Sequence, residues 1–252
     1  MSHLPEPIPA ATLVLMRPVA NGPPELLVME RAQTMAFAAG ALVFPGGRID
    51  AEDYLLAERI GCGIEDAAAR IAAIRETIEE TGIAPALQPG PNADTVAALR
   101  TEMAAGASFQ SLLDRYGLSL DLAALTPFAR WCPTFREARR FDTLFYIAEA
   151  PAGSAPASAD RTEAVRTFWA TARAVLDEAD RGDARIIFPT RRNLERLAQF
   201  ASIEEARAGA GANPVQKVVP WIEEREGTRW LCIPEDIGYP VTAELLDTAR
   251  RS

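Results

Sequence analysis

FPGG at residues 44–47 and RETIEETGI at residues 75–83 are the two stretches that decide how this chain folds. The second stretch ends a segment, residues 64–81, in which apolar residues recur at helical spacing. These residues are Ala67, Ile71, Ile74 and Ile78. Gly82 follows at the place where a glycine commonly ends a helix. We therefore predict an amphipathic helix that buries one face and ends at Gly82.

The opposite face of this helix carries three glutamates. Glu76 and Glu80 are four residues apart and so lie close together on the helix surface, with Glu79 at the edge of the same face. Like charges at this spacing repel, and a hard divalent cation with oxygen ligands would turn the repulsion into binding. The alternative is a solvated helix face in which Arg75 pairs with Glu79. FPGG favours the site, because a strand that ends in two glycines lets a phosphate approach the backbone closely.

Together the two stretches resemble the Nudix box, whose pattern is G-x5-E-x7-R-E-U-x-E-E-x-G-U, where U is apolar. The second half matches at Arg75, Glu76, Glu79, Glu80, Gly82 and Ile83. The first half departs from the pattern, because the 27 residues 48–74 separate glycine from arginine where the pattern has 13. The first glutamate position falls on Asp53 when counted from Gly47 and on Ala67 when counted from Arg75.

The resemblance implies a fold and a domain organisation. We expect the α/β class, as a Nudix α/β/α sandwich with a mixed sheet formed by residues 8–205. Two helical insertions, at about 48–66 and 93–121, lie outside the minimal fold and are expected to wall the substrate cleft. Residues 206–252 are expected to form a C-terminal extension packed on the same domain.

Local patterns predict several elements of this fold. Apolar runs at 10–18 and 25–31 flank the turn-rich stretch NGPP, which is typical of a β-hairpin. Residues 94–106 and 108–116 are expected to form two short helices, and residues from about 190 to 208 a longer one.

The segment before the box bears on the substrate. Residues 26–47, LLVMERAQTMAFAAGALVFPGG, are similar to L-L-T-x-R-[SA]-x3-R-x3-G-x3-F-P-G-G, a motif that coenzyme A-cleaving Nudix enzymes often carry. Arg31 and Gly40 match in spacing, whereas Val28 and Ala36 replace a threonine and a second arginine. The box insertion also resembles the branch that contains the peroxisomal coenzyme A diphosphatases. The resemblance implies an enzyme, a Nudix diphosphatase acting on coenzyme A or acyl-coenzyme A.

Two other functions stay open. A Nudix diphosphatase can instead cleave ADP-ribose, a dinucleotide or a nucleoside triphosphate, and the missing arginine at Ala36 weakens recognition of coenzyme A. A Nudix fold can also bind a nucleotide as a sensor without catalysis. Sensors of that kind often lose box glutamates, and this chain retains them.

The resemblance also implies roles for the box residues. Mg²⁺ or Mn²⁺ would be the cofactor, because metal ions neutralise charge that builds on phosphate oxygens during hydrolysis. The implied ligands are Glu76, Glu79, Glu80 and the backbone carbonyl of Gly46. Arg75 would orient Glu79 through an ion pair. Glu163 is our candidate for the general base, and its alternative is an ordinary surface glutamate.

Substrate contacts are expected from five residues, Arg31, Gly46, Gly47, Arg139 and Arg140. Arginine forks suit phosphate oxygens, so Arg139 and Arg140 are expected to bind the substrate's phosphates. The alternative is that one of them pairs with Glu137 or Asp142. Trp131 stacks an adenine or, alternatively, is buried in the core. For Arg31 the alternative is that it simply ends a strand.

Composition excludes several classes of protein. His3 is the sole histidine of 252 residues, which excludes Ser-His-Asp and Cys-His catalytic systems. Cys62, Cys132 and Cys232 show no CxxC spacing, and such sparse cysteines fit a reducing compartment. Net charge is −9, which argues against nucleic acid as a partner, and the longest apolar runs are too short for a membrane span. We expect a cytoplasmic protein with a small-molecule, nucleotide-type substrate, no membrane partner and a possible homodimer.

Overall fold

The computed structural model describes residues 5–34, 38–134, 140–153, 159 and 164–249. The strands within these ranges are β1 (Ile8–Val19), β2 (Gly22–Arg31), β3 (Ala41–Val43), β4 (Gly46–Arg48), β5 (Leu87–Gln88), β6 (Ser119–Leu120), β7 (Thr126–Trp131), β8 (Phe141–Glu149), β9 (Ala164–Thr171), β10 (Arg185–Ile186), β11 (Lys217–Val218), β12 (Trp221–Arg225), β13 (Thr228–Cys232) and β14 (Ala243–Leu245). The helices are α1 (Ala51–Ile60), α2 (Ala67–Thr81), α3 (Ala93–Ala104), α4 (Phe109–Tyr116), α5 (Ala172–Asp180), α6 (Phe188–Leu197), α7 (Ile203–Ala212) and α8 (Leu246–Ala249). No helix in the described ranges combines the length and apolar character needed to cross a membrane.

The main sheet is mixed, as predicted. Its strands follow the order β10-β3-β2-β1-β8-β7-β11, while β4 pairs with β1 and β9 pairs with β2. Strand β1 runs parallel to β8, with Ile8 opposite Phe141 and Met16 opposite Glu149. It runs antiparallel to both β2 and β4. Because β4 pairs with residues 10–12 of β1, the two box glycines are fixed to the centre of the sheet.

Helices cover both faces of this sheet. Side chains along β1 alternate between the two faces, as the two-residue period of a strand requires. Leu13 and Leu15 join the hydrophobic cluster that contains the α2 isoleucines, whereas Val14 and Met16 join the cluster formed with α5, α6 and α7. The predicted α/β/α sandwich is the observed architecture.

Several predicted elements are confirmed. The hairpin is formed by β1 and β2, and α3 and α4 form within a few residues of the predicted bounds. Helix α2 buries its predicted isoleucine stripe completely. Gly82 adopts the left-handed conformation at the end of α2, with φ of 67°, and its N–H donates to Ile78 O. A side chain with a Cβ would be strained at that angle, which explains why glycine ends the helix here.

The single helix predicted from about 190 to 208 is wrong. The segment forms two helices, α6 and α7, separated by residues 198–202. Ser202 precedes α7 and its hydroxyl accepts a hydrogen bond of 3.1 Å from the backbone N–H of Glu205. The Glu205 carboxylate in turn accepts from the N–H of Ala201 at 2.8 Å. These caps satisfy backbone groups that a continuous helix would otherwise pair, so a new helix begins.

Residues beyond 213 extend the core rather than forming a separate tail. Strand β11 joins the main sheet beside β7, and β12, β13 and β14 form a small antiparallel sheet. The Trp131 indole N–H donates to the Tyr239 hydroxyl at 2.9 Å, and that hydroxyl donates to Asn193 Oδ1 at 2.9 Å. Since Trp131 is only 1% exposed, its buried alternative is the one observed.

Candidate active site

The site lies where strand β4 meets helix α2. The backbone N–H of Gly46 donates to Glu80 Oε2 at 2.8 Å, across 34 residues of sequence. Glu80 is 3% exposed, which is rare for a carboxylate and requires polar partners. The hydrogen bond from Gly46 supplies one of these and ties the last turn of the helix to the sheet.

The two glycines are required by close approach of other groups. A Cβ on Gly47 would lie 2.4 Å from Glu76 Cδ, well inside van der Waals contact. A Cβ on Gly46 would lie 2.4 Å from the carbonyl oxygen of Ala11 on the neighbouring strand. The Glu76 carboxylate therefore rests directly against the backbone of β4. Two of the three predicted glutamates, Glu76 and Glu80, thus contact the same pair of glycines.

Arg75 links the glutamates through its guanidinium group. Nη1 donates to Glu76 Oε1 at 2.8 Å and lies 3.5 Å from Glu79 Oε1. The pair with Glu79, which the sequence predicted, is therefore the longer contact. Glu79 is also the more exposed of the two partners, at 35% of its side chain against 15% for Glu76.

Asp53 is the strongest partner of Arg75. The Arg75 Nε lies 3.1 Å from Asp53 Oδ1, and Nη2 lies 2.9 Å from Oδ2, so the pair is bidentate. Asp53 is 2% exposed and also accepts from the N–H of Asp50 at 2.9 Å, in the first turn of α1. Ala67, the other position for the first carboxylate, is a buried residue at the start of α2. The count from Gly47, not the count from Arg75, therefore falls on a carboxylate that contacts Arg75.

These contacts shift ionisation in the site. Burial opposes the charge of Arg75, but the hydrogen bonds with Asp53 and the charges of Glu76 and Glu79 outweigh it and raise the pKa of Arg75. Burial also raises the pKa of Glu79, and the opposing attraction of Arg75 does not cancel this effect. Nearby Asp53 and Asp50 add to the increase. Arg75 is a permanent cation among the carboxylates.

Arg100 makes a contact with helix α2 that the sequence did not predict. Arg100, on α3, donates from Nε to the backbone carbonyl of Glu79 at 2.8 Å and from Nη2 to that of Glu80 at 3.1 Å. No sequence signal located this residue, because its place depends on how α3 packs against α2. The second insertion therefore contacts the last turn of the glutamate-bearing helix.

Other predicted site residues do not join this cluster or cannot be placed. Arg31 is the last residue of β2, as its alternative stated, and its carbonyl accepts from Gly40 N at 3.1 Å. Arg140 Nη2 contacts Cys132 Sγ at 3.2 Å. Arg139 and Glu163 lie outside the described residues.

Asp142 has partners other than Arg140. It pairs with Arg130 at 2.8 Å and with Lys217 at 2.6 Å. Burial alone would raise the pKa of Asp142, but its hydrogen bonds with these two cations lower it. The alternative in which Arg140 pairs with Asp142 is therefore not observed. Glu137 and Arg139 lie outside the described residues.

The donor chemistry of the cluster fits a hard divalent cation. Glu76, Glu79 and Glu80 offer only oxygen atoms, which Mg²⁺ and Mn²⁺ prefer. Across the part of the chain that the structure describes, however, no three His, Cys, Asp or Glu side chains are already gathered as a metal site. The carboxylates contact Arg75 and Gly46 instead. Metal binding by these glutamates and the Gly46 carbonyl stays a prediction.

Two curated proteins are similar to this chain in sequence, and a solved structure is similar to it in architecture. No protein-family model matches the chain. The chain is 24% identical to an acyl-coenzyme A diphosphatase NUDT19 of Gallus gallus, over 79% of this chain and 67% of that protein. It is 25% identical to the protein of the same name in Xenopus laevis, over 88% of this chain and 73% of that protein. The crystal structure of a Nudix hydrolase from Alicyclobacillus acidocaldarius is similar, with a TM-score of 0.71 and 28% identity, over 82% of this chain and 97% of that one.

Proposed function

We propose that this chain is a Nudix-type enzyme, which hydrolyses the diphosphate bond of coenzyme A or acyl-coenzyme A with Mg²⁺ or Mn²⁺ as cofactor. The observation that carries the proposal is the contact of Glu76 and Glu80 with the two glycines of β4. That arrangement supplies acidic oxygen ligands beside backbone that a phosphate can approach closely. The names of the two similar acyl-coenzyme A diphosphatases support the substrate class.

The cofactor would be held by the box residues. Glu76 and Glu80 are the leading ligands, with Glu79 and the carbonyl of Gly46 completing the set. A bound divalent ion would stabilise the negative charge that builds on the phosphate oxygens as water attacks phosphorus. Arg75 fixes the orientation of Glu76, because its guanidinium is itself locked by Asp53. Asp53 therefore fills the role of the box's first carboxylate in our proposal.

The remaining chain contributes substrate contacts and a base. Gly47 leaves the space that the Glu76 carboxylate occupies and keeps the β4 backbone open. Arg31, Arg139 and Arg140 are proposed to bind the substrate's phosphates, and Glu163 is proposed as the general base. The insertions are proposed to wall the cleft and set the choice of leaving group.

The substrate class is supported by the segment before the box. Arg31 ends β2, and its Nε is buried without a hydrogen-bond partner among the described residues. A buried donor of this kind gains from an incoming acceptor, and a phosphate oxygen is the acceptor that a guanidinium binds best. This supports the proposed contact between Arg31 and a phosphate of coenzyme A.

A substrate panel tests the proposal. It would include coenzyme A, acetyl-coenzyme A, a long-chain acyl-coenzyme A, ADP-ribose, NADH, a diadenosine polyphosphate and the nucleoside triphosphates. Each would be incubated with Mg²⁺ or Mn²⁺, with the Glu80→Gln variant as the blank, and products separated by chromatography. We expect 3′,5′-ADP and a phosphopantetheine from coenzyme A or its thioesters, with no reaction in the presence of a chelator.

Other outcomes would select the other functions. Cleavage of ADP-ribose or a dinucleotide alone would assign those substrates and would make the replacement of arginine by Ala36 the deciding difference. Binding of a nucleotide without cleavage would favour a sensor. Turnover that persists without metal would contradict the proposed mechanism.

We also propose a cytoplasmic location and a homodimer. The three cysteines are free, with Cys62 exposed, which fits a reducing compartment. Fractionation of cells and light scattering of the purified chain test these two proposals.

A further inference from the structure

Negative charge accumulates at the C-terminal end of helix α2. The carbonyl groups of its last turn lack helical partners, and the aligned peptide dipoles concentrate negative charge there. The same turn carries Glu79 and Glu80, and it contains no basic residue of its own. Negative side chains are unfavourable at this end of a helix, so the turn needs positive charge from elsewhere.

Arg100 supplies that charge from the second insertion. Its guanidinium donates to two successive carbonyls, those of Glu79 and Glu80, at 2.8 Å and 3.1 Å. A fork that binds two adjacent carbonyls fixes both the position and the rotation of the turn, which a single point charge would not do. Leu99, the residue before Arg100 on α3, is fully buried in the hydrophobic cluster that also contains the α2 isoleucines. This packing holds α3, and with it Arg100, in place.

Glu80 is consequently held from two sides. Its carbonyl is bound by Arg100 on α3, and its carboxylate is bound by the N–H of Gly46 on β4. Metal ligands keep their affinity only when the groups behind them hold their orientation. Without the Arg100 contact, Glu79 and Glu80 would still be present, but the helical turn that carries them would be free to move.

We propose that Arg100 is a positioning residue of the active site, which holds the last turn of α2 so that Glu79 and Glu80 keep the orientation needed to bind a divalent metal. This inference rests on the proposed function. It gives the second insertion a part in catalysis besides lining the cleft. Arg100 acts through the backbone of the glutamates and need not touch the substrate.

The test compares Arg100→Ala and Arg100→Lys with Arg115→Ala as the matched control. Arg115 lies on α4 of the same insertion, where it is exposed and pairs with Glu102. Mn²⁺ binding would be titrated by electron paramagnetic resonance without substrate. Values of kcat and KM for the best substrate of the panel, and the Tm of each variant, would be measured on the same preparations.

We expect Arg100→Ala to weaken Mn²⁺ binding and lower kcat, each by about tenfold, because groups behind metal ligands typically contribute effects of this size. KM should change much less, and Arg115→Ala should match the wild type. Arg100→Lys should recover part of the metal affinity, since its ammonium retains the charge but lacks the fork. A general loss of stability would not lower Mn²⁺ affinity and kcat while leaving KM nearly unchanged.

Contrary results separate the inference from the proposed function. An Arg100→Ala variant that binds Mn²⁺ and turns over like Arg115→Ala would overturn the inference. If Arg100→Ala does not fold, Arg100→Lys decides, and a lysine variant equal to the wild type in Mn²⁺ affinity and kcat would overturn it. A wild-type protein that neither binds Mn²⁺ nor hydrolyses any member of the panel would instead contradict the proposed function.

Discussion

Arg75 and Asp53 are 22 residues apart in the chain and form a bidentate pair, with Nε–Oδ1 and Nη2–Oδ2 distances of 3.1 Å and 2.9 Å. Asp53 lies in the first turn of α1, directly after β4, and β4 is the strand that contacts the glutamates of α2. Arg75 Nη2 also contacts the carbonyl of Arg48 at 3.1 Å. The inserted residues therefore leave the two halves of the motif in contact, and the insertion supplies one of the site's charges.

Asp53→Asn is expected to lower kcat by about tenfold, because a neutral amide binds a guanidinium less strongly and releases the group that orients Glu76. Stability should fall as well, since Arg75 is largely buried and would lose its main counter-charge. Steady-state kinetics and thermal unfolding measure the two effects. Glu52→Gln, an exposed residue in the same turn of α1, is the control. Equal kinetics for the two variants would show that Arg75 needs no help from Asp53.

Glu80→Gln is expected to abolish hydrolysis while the fold is retained. The glutamine oxygen can still accept the hydrogen bond from Gly46 N, but the charge that would bind the metal is gone. Activity and circular dichroism should be compared with Glu224→Gln, which changes an exposed glutamate on β12. Activity above about a tenth of the wild-type value would rule out Glu80 as a leading ligand.

Gly47→Ala separates activity from stability. The new methyl group would lie 2.4 Å from Glu76 Cδ, and the flexible side chain can move away at little cost. A displaced ligand should nevertheless lower kcat by about a hundredfold. We expect Tm to change by no more than about 3 °C.

Gly211→Ala provides the control for this substitution, since a Cβ at Gly211 meets no atom within 4 Å. It should leave kcat close to the wild-type value and leave Tm unchanged or slightly raised, since alanine is favoured over glycine within a helix. A Gly47→Ala variant with undiminished kcat would mean that Glu76 does not need its observed position.

Glu195 should make stability depend on pH. Burial raises its pKa to about 7, and the negative charge of nearby Glu244 adds to the increase. The attraction of Arg192, which lies 3.0 Å away, opposes this effect without cancelling it. The folded state therefore binds the proton more tightly than the unfolded state. Stability from this group is complete below the ordinary glutamate pKa of 4.5 and declines as pH rises to about 7.

Glu195→Gln should remove this decline. Relative to the variant, the wild type should lose at most about 3 kcal/mol of unfolding free energy between pH 4 and pH 8. Urea unfolding at both pH values measures the difference, with the exposed Glu204→Gln as control. A pH-independent difference between wild type and Glu195→Gln would assign Glu195 an ordinary pKa.

Much of the helix that carries the site was predictable from its sequence. The spacing of Ile71, Ile74 and Ile78 predicts one buried face of α2 and places the glutamates on the other side. It does not predict that Glu80, on that other side, is also buried, because this depends on the contact with β4. Local spacing of this kind needs no knowledge of the rest of the chain. The pairing of Arg75 with Glu79 also follows from it, although the structure makes it the weaker contact.

Contacts between distant segments were not predictable. The choice between Asp53 and Ala67 depends on the path of α1, and either count is consistent with the sequence. Arg100 is one of many arginines until α3 is packed against α2. The break between α6 and α7 did have a local signal, Ser202 followed by Glu205, but the apolar periodicity on both sides obscured it.

The hydrogen bond from Trp131 to Tyr239 joins residues 108 positions apart and bears on how the protein is made. The larger hydrophobic cluster contains both side chains, so it is incomplete at least until residue 239 has left the ribosome. Contacts of such long range slow folding, because a long loop must close before the contact forms. The nascent chain will therefore expose the apolar surface of β7 while the segment from Trp131 to Tyr239, 108 positions further on, is synthesised, and exposed apolar strands of this kind are prone to aggregate.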